Sequence, residues 1–485
     1  MKLFKYIPLL FLFTLYSCDL NLQPISEIGE GSFYQTTDEI NSAVIACYNG
    51  LQAPLEFEWM LTELRSDNSR LYNTATTSSN NTLLFEFDQA KVSATNTRVY
   101  DYWQTVYHNI ARCNTVLDPD HLAVVTTDSL RNQYEGEAKF IRAYHYFNLV
   151  RLFGPVFIIT ERISAEEAKQ YDRSSVEDVY ALIESDLKDA IDKLPSEYSD
   201  DEKGRVTSWA AKALLAKVYM TEGLIDETTQ ALLKDVYENS GYRLMDTYES
   251  VFDINNEVND EILFTVRFTS GGLGLGSIFG NRFAPQLSGS SVINGDGSGY
   301  NYPSSDLVQA YNSSDTREDV TIALNYVNDN NQVIDRRYIK KYLSPVTIKD
   351  DGDKDWPILR FADVILLYAE VENELDGVAA ALPLINETRT RAGLTELKES
   401  SLPNKHSMRM AIEKERRLEL AFENQRWFDL VRTGRAIEVM NEHYSTEEYY
   451  ESTSGAGPLN DNNILLPIPQ KEIDINPNIS QNMGY

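Results

Sequence analysis

The run Glu63-Leu64-Arg65-Ser66-Asp67-Asn68-Ser69-Arg70-Leu71-Tyr72 puts hydrogen-bond donors, acceptors and an aromatic ring together at the end of a predicted helix. That mixture suits a sugar: the C–H face of a pyranose lies on an aromatic plane while its hydroxyls bond to Asn, Asp and Arg. Aromatics are plentiful, with 29 tyrosines and 5 tryptophans, so position must select among them. Trp59, Tyr72, Tyr300, Tyr302 and Trp356 lie in or beside polar regions of the chain. The two longest of these are Ser66 to Thr97, rich in Ser, Thr and Asn, and Thr269 to Ser305, rich in Gly and Ser. Long insertions on a rigid scaffold are where binding usually sits. Trp59, Arg65, Asp67, Asn68, Tyr72, Tyr300 and Tyr302 are the candidate ligand-binding residues.

Other chemistry finds less support. There is no HExxH, GxSxG or Walker-type GxxxxGK[ST] motif, and His108, His121, His145, His406 and His443 lack metal-ligand spacing. Gly271 to Gly276 follows a strand pattern but lacks the GxGxxG order and a following helix, so it reads as a flexible loop. Asp350-Asp351-Gly352-Asp353-Lys354-Asp355 resembles a calcium loop, yet Trp356 stands where such a loop needs glycine and Ala362 where it needs a bidentate glutamate. It reads as a solvated loop, and Asn294, Asp296 and Ser298 carry the same weak signal. An acid–base pair of carboxylates would be defined by its separation in space, which spacing along the chain does not reveal. No catalytic residue, metal ligand or cofactor is assigned, and the chain reads as a binding protein rather than an enzyme. The densest charge cluster, Glu413 to Arg432, mixes opposite charges and apolar residues at i, i+4 spacing, the signature of buried ion pairs that fix one helix against another.

Helices must position these residues. Apolar periodicity predicts helices over Asp38 to Leu51, capped by Thr37 or Asp38, and over Val99 to Leu117. Glu135 to Phe153 is apolar on two faces and so packs on two sides. Ser208 to Thr221 is alanine-rich and ends before Gly223. Arg360 to Leu375, the Asp376-Gly377 turn and a second helix to Gly393 form a helix–turn–helix of tetratricopeptide size. Strand signals are few, at Glu261 to Phe268 and Val320 to Tyr326. The expectation is a mostly α-helical solenoid with long irregular loops and minor strands.

The formal charge of −30 disfavours nucleic acid and anionic membrane surfaces and favours an uncharged or cationic ligand. Lys2 and Lys5, the apolar stretch Ile7 to Leu15 and the processing site Leu15-Tyr16-Ser17-Cys18 form a bacterial lipoprotein signal, with Cys18 as the lipidated N-terminus of the mature chain. Tyr16 is bulky for its position. Cys47 and Cys113, the remaining thiols, are open to pairing or to burial as free thiols.

Several segments together resemble the SusD/RagB family, lipoproteins that serve nutrient uptake in the Bacteroidetes. They are the tether Cys18 to Pro24, Tyr102-Trp103-Gln104 through Asn114, Gly136 through Ala143 with Phe153-Gly154-Pro155-Val156, Arg360 through Glu370, Glu415-Arg416-Arg417 through Gly434, and Leu466-Pro467-Ile468-Pro469 with Asn476-Pro477 and Gln481-Asn482. The resemblance implies a scaffold of four tetratricopeptide-like helix pairs and an outer-membrane lipoprotein exposed at the cell surface. It further implies a lid over a SusC-like TonB-dependent transporter that captures a glycan or, in some members, peptides. On this reading residues 1–17 are a signal peptide, 18–31 a lipidated tether and 32–485 one domain, helical over about 32–225 with a C-terminal part over about 255–485. The family's shared motifs concern fold and docking, so no ligand residue is carried over.

Overall fold

The computed structural model describes residues 33–72, 79–446 and 457–485. The signal peptide, Cys18 and the tether lie outside the described residues. The first helix, Thr37–Asn49, is opened by Thr36 rather than Thr37 or Asp38: its side chain accepts from the Glu39 amide while Glu39 reaches back in a capping box. Thr97–Val116 is capped by Asn96, and Ser208–Thr221 has the expected bounds, with Thr207 as its cap. The central helix runs Asp128–Phe153, beginning before the expected Glu135 because its first two turns are polar. From Gly136 to Phe153 almost every residue is buried, as a helix packed on two sides requires. Gly136 permits the close approach: a Cβ there would stand 2.9 Å from Leu194 Cγ.

Packing passes from helix to helix in chain order. Asp128–Phe153 lies on Thr97–Val116 and Val176–Lys193, which meets Ser208–Thr221, then Glu227–Asn239, then Phe361–Leu375. Phe361–Leu375 in turn carries Val378–Arg391 and Lys405–Glu419. The stacked-helix expectation is met. Cys47 and Cys113 are buried free thiols in the helices Thr37–Asn49 and Thr97–Val116.

Six short strands join in antiparallel pairs: β1 (Ser69–Arg70) with β3 (Tyr302–Pro303), β2 (Ile262–Val266) with β6 (Trp356–Arg360), and β4 (Ile322–Val327) with β5 (Val333–Ile339). The Asp350 to Asp355 segment is not solvated. Asp351 accepts from the amides of Gly271 and Gly272, Asp353 from that of Ser270, and Asp355 from that of Phe268. The acidic loop thereby braces the base of the glycine-rich one, which stays exposed from Gly271 to Gly274.

The Glu413 to Arg432 cluster forms the buried ion-pair network its spacing implied. Arg360 contacts Glu261 at 2.8 Å, Glu419 at 2.6 Å and Glu423 at 2.7 Å. Arg317 meets Glu415 at 2.7 Å and Glu419 at 3.0 Å, and Arg391 closes the ring onto Glu261 and Glu419. Burial would raise the Glu419 carboxyl, but Arg391, Arg360 and Arg317 outweigh it and hold it well below the usual range.

Two buried carboxyls behave oppositely. Burial pushes Glu63 up to about 8 and Glu58 up to about 7. Glu63 accepts from the Asn424 amide at 2.7 Å through one oxygen, and its other oxygen finds no partner. The depressed carboxyls add stability as pH rises through about 4. Glu63 and Glu58 remove it as pH rises from their ordinary 4.5 toward 7 and 8, because the unfolded chain ionises first. Stability measured by urea unfolding is expected to be greater near pH 5 than at pH 8, and Glu63→Gln to reduce that difference by raising stability at pH 8. An unchanged pH 5 to pH 8 difference in the variant would contradict the assignment.

Candidate functional site

The sharp end of the Glu63 to Tyr72 run divides into a buried anchor and an exposed tip. Asp67 is almost wholly buried and takes Arg426 at 2.7 Å and Arg417 at 3.0 Å. Burial would raise its carboxyl, but the two guanidiniums hold it well below the usual carboxylate range. Asn68 accepts from Arg417 Nε at 2.9 Å. Ser304 Oγ donates to the Asp67 carbonyl at 2.7 Å, and the Ser304 amide donates to the Asn68 carbonyl at 2.9 Å. These bonds set the register of β1 on β3, with Ser69 opposite Pro303 and Arg70 opposite Tyr302.

Beyond that anchor the chain emerges at Tyr72, whose ring centre lies 5.1 Å from that of Tyr302. Asn301, at φ +53°, turns the chain between Tyr300 and Tyr302, and Ser69 Oγ donates to its side-chain oxygen. Tyr300 stacks on the buried Trp59 with ring centres 6.0 Å apart. Tyr72, Tyr300 and Tyr302 line one narrow cleft of about 20 Å³ together with Gln286, Arg336 and Arg337. Tyr300 also borders a second depression that contains Glu56, Arg98 and Arg282. Burial pushes the Glu56 carboxyl up, opposed by Arg282.

The structure brings three of the seven expected residues to this cleft and withdraws four. Trp59 is buried behind Tyr300, its indole N–H donating to the Glu56 carbonyl at 2.9 Å. Arg65 is buried over the Trp427 ring and donates to the carbonyls of Asn463 and Ile464. Asp67 and Asn68 are spent on the arginine clamp. All four are buried and none of them lines the cleft. Trp356, the other aromatic considered, is buried against Tyr342 with ring centres 4.3 Å apart. Arg336, Arg337 and Gln286 were missed. The only sequence signal for them was a pair of adjacent bases beside Tyr338 in a strongly acidic chain. Among the described residues no cluster of His, Cys, Asp and Glu could hold a metal ion.

Comparison with known proteins places this architecture. The model of the SusD family matches residues 325–485, and a model described as starch-binding associating with outer membrane matches residues 31–220. A SusD-like protein of Bacteroides ovatus is 30% identical over 71% of this chain and 67% of its own. SusD-like protein P25 of Formosa agariphila is 29% identical over the full length of both chains. The chain belongs to the SusD/RagB family. Among solved structures, a laminarin binding SusD-like protein is 27% identical and superposes with a TM-score of 0.78 over 93% of this chain and 100% of its own. Surface glycan-binding protein A from Bacteroides thetaiotaomicron, solved with laminarihexaose, is 21% identical, covers 90% of this chain and 97% of its own at a TM-score of 0.77, and shares the fold.

The anchor and the tip should separate experimentally. Asp67→Asn is expected to destabilise the fold by about 3–5 kcal/mol, since it removes the buried charge that Arg426 and Arg417 share and leaves them only the more exposed Glu413 and Asp306, and to lower hydrogen-exchange protection of the Ser304 amide. Tyr72→Ala should change stability by no more than about 0.5 kcal/mol. Equal losses from the two, measured by urea unfolding, would contradict the division.

Proposed function

We propose that this chain is a non-enzymatic, lipid-anchored protein of the outer cell surface that holds an oligosaccharide in the Tyr72–Tyr300–Tyr302 cleft for a SusC-like TonB-dependent transporter. The observation that carries the reading is the cleft: three tyrosines, two arginines and an amide on a base locked by buried ion pairs. Rigid support matters because weak polar contacts give useful affinity only when little ordering is left to do on binding. The relative titled as laminarin binding supports a glycan as the ligand class. Anchoring through Cys18 rests on the lipoprotein signal in the sequence, and the lid role and the partner rest on family membership. Residues 32–485 act as one domain in this account.

Isothermal titration against a panel of oligosaccharides is expected to give micromolar dissociation constants for at least one member, about −8 kcal/mol, with no released sugar. Replacing Tyr72, Tyr300 and Tyr302 together by alanine should weaken that binding at least tenfold. Binding of peptides and of no glycan would replace this reading with peptide capture, and release of reducing sugar would replace it with a surface glycoside hydrolase.

A further inference from the structure

The cleft's lining departs from the overall charge balance of the chain and from that of three other depressions. The chain has 74 acidic and 44 basic residues, yet the residues lining this cleft include Arg336 and Arg337 and no carboxylate. Three other depressions among the described residues are mixed. Glu56 faces Arg98 and Arg282 in one, Asp201 and Glu202 accompany Arg205 and Arg267 in another, and a third joins Glu370 and Glu413 to Arg432 and Arg435.

Local backbone geometry delivers both arginines to the same place. Successive residues of a strand normally point to opposite faces. In the β4–β5 hairpin Ala323 pairs with Tyr338 and Asn325 with Asp335, so Arg336 and Arg337 together oppose the single residue Leu324. That is a β-bulge, a device that re-aims a side chain next to a site. Arg336 and Arg337 are both half-buried at the cleft.

Tyrosine faces and short polar contacts then hold the guanidiniums. Arg336 lies 4.5 Å from the Tyr72 ring centre, and Arg337 and Arg70 lie 4.8 and 5.4 Å from that of Tyr302. Arg337 donates to Tyr302 Oη at 3.2 Å and Ser305 Oγ at 2.9 Å, and Arg336 donates to the Gln286 carbonyl at 2.7 Å. A guanidinium has five N–H donors, so most of those on Arg336 and Arg337 remain unspent among the described residues. Among the described residues no carboxylate lies within ion-pairing distance of Arg336 or Arg337. Asp306, beside Ser305 in sequence, is engaged by Arg417 at 2.7 Å. The stretch Asn73 to Asn81 that follows Tyr72 contains no acidic residue.

Tyr72 and Tyr302 therefore each lend part of their ring surface to a guanidinium. Guanidinium donors pre-positioned on aromatic faces match the oxygens of a carboxylate or a sulfate, which they bind through paired, charge-assisted hydrogen bonds. Resting on the glycan reading above, we infer that the ligand is an acidic oligosaccharide whose anionic group, a uronate carboxylate or a sulfate ester, is read by Arg336 and Arg337 with Arg70 beside them.

The test uses the full chain and matched pairs in titration calorimetry: uronic-acid hexasaccharides beside their carboxyl-reduced forms, sulfated hexasaccharides beside their desulfated forms, and laminarihexaose as a neutral glycan. At least one acidic member is expected to bind tenfold or more tightly than its neutralised counterpart, and the arm in which this occurs identifies the anion. The double variant Arg336→Gln, Arg337→Gln should keep the melting temperature and lose at least tenfold for that member, a larger loss than it shows for the neutralised counterpart. Equal binding across every matched pair, or an unchanged acidic affinity in the double variant, would overturn the inference and leave glycan binding standing. Failure of every glycan, acidic or neutral, would overturn both.

Discussion

The arginine clamp on Asp67 is the constraint on which the site depends. Arg417 and Arg426 come from the C-terminal part of the chain, more than 340 positions from the carboxylate they hold. Ionised groups leave water at high cost unless they are paired and hydrogen-bonded, so this carboxylate has one arrangement in which it is tolerable. In that arrangement β1 lies against β3 in a single register, and Tyr72 meets Tyr302. The Arg360–Glu419 ring works the same way one layer deeper. It joins the ends of β2 and β6 to the helix Lys405–Glu419 that carries Arg417. A well-packed apolar core could match its stability; what the charges supply is a register that does not slip.

Much of the scaffold was legible in the amino-acid sequence, and the reasons are local. Ser208–Thr221 has Thr207 to cap it and Gly223 just beyond its end, so its bounds could be read directly. Asp128–Phe153 was shortened because its opening turns are polar. The helix Ser79–Asp88 was missed because Ser and Asn dominate its start. β6 was missed because Pro357 interrupts the strand pattern, which a two-stranded sheet tolerates at its edge. The ion-pair reading of Glu413 to Arg432 succeeded since opposite charges interleaved with leucine and phenylalanine have few other uses.

The site itself was harder to read. The stretch from Glu63 to Tyr72 was identified as important, but Arg65, Asp67 and Asn68 look outward in composition and turn inward in space. Burial of a charged residue depends on where its partner sits, and for Asp67 that partner is remote in sequence. Arg336 and Arg337 reach the cleft only through a bulge that no periodicity announces. The total charge of −30 pointed toward an uncharged or cationic ligand, whereas a site is governed by the charges within a Debye length of it. The Tyr72 cleft has two arginines and no carboxylate among its lining residues.

A crystal structure of the chain with a bound acidic oligosaccharide tests the central claim most directly. The account requires sugar density between Tyr72, Tyr300 and Tyr302, with an anionic group within hydrogen-bond distance of Arg336 or Arg337 and with β1 and β3 unmoved. Sugar bound elsewhere, for instance in the groove beside Gln52 and Arg205, with the tyrosine cleft empty, would contradict it.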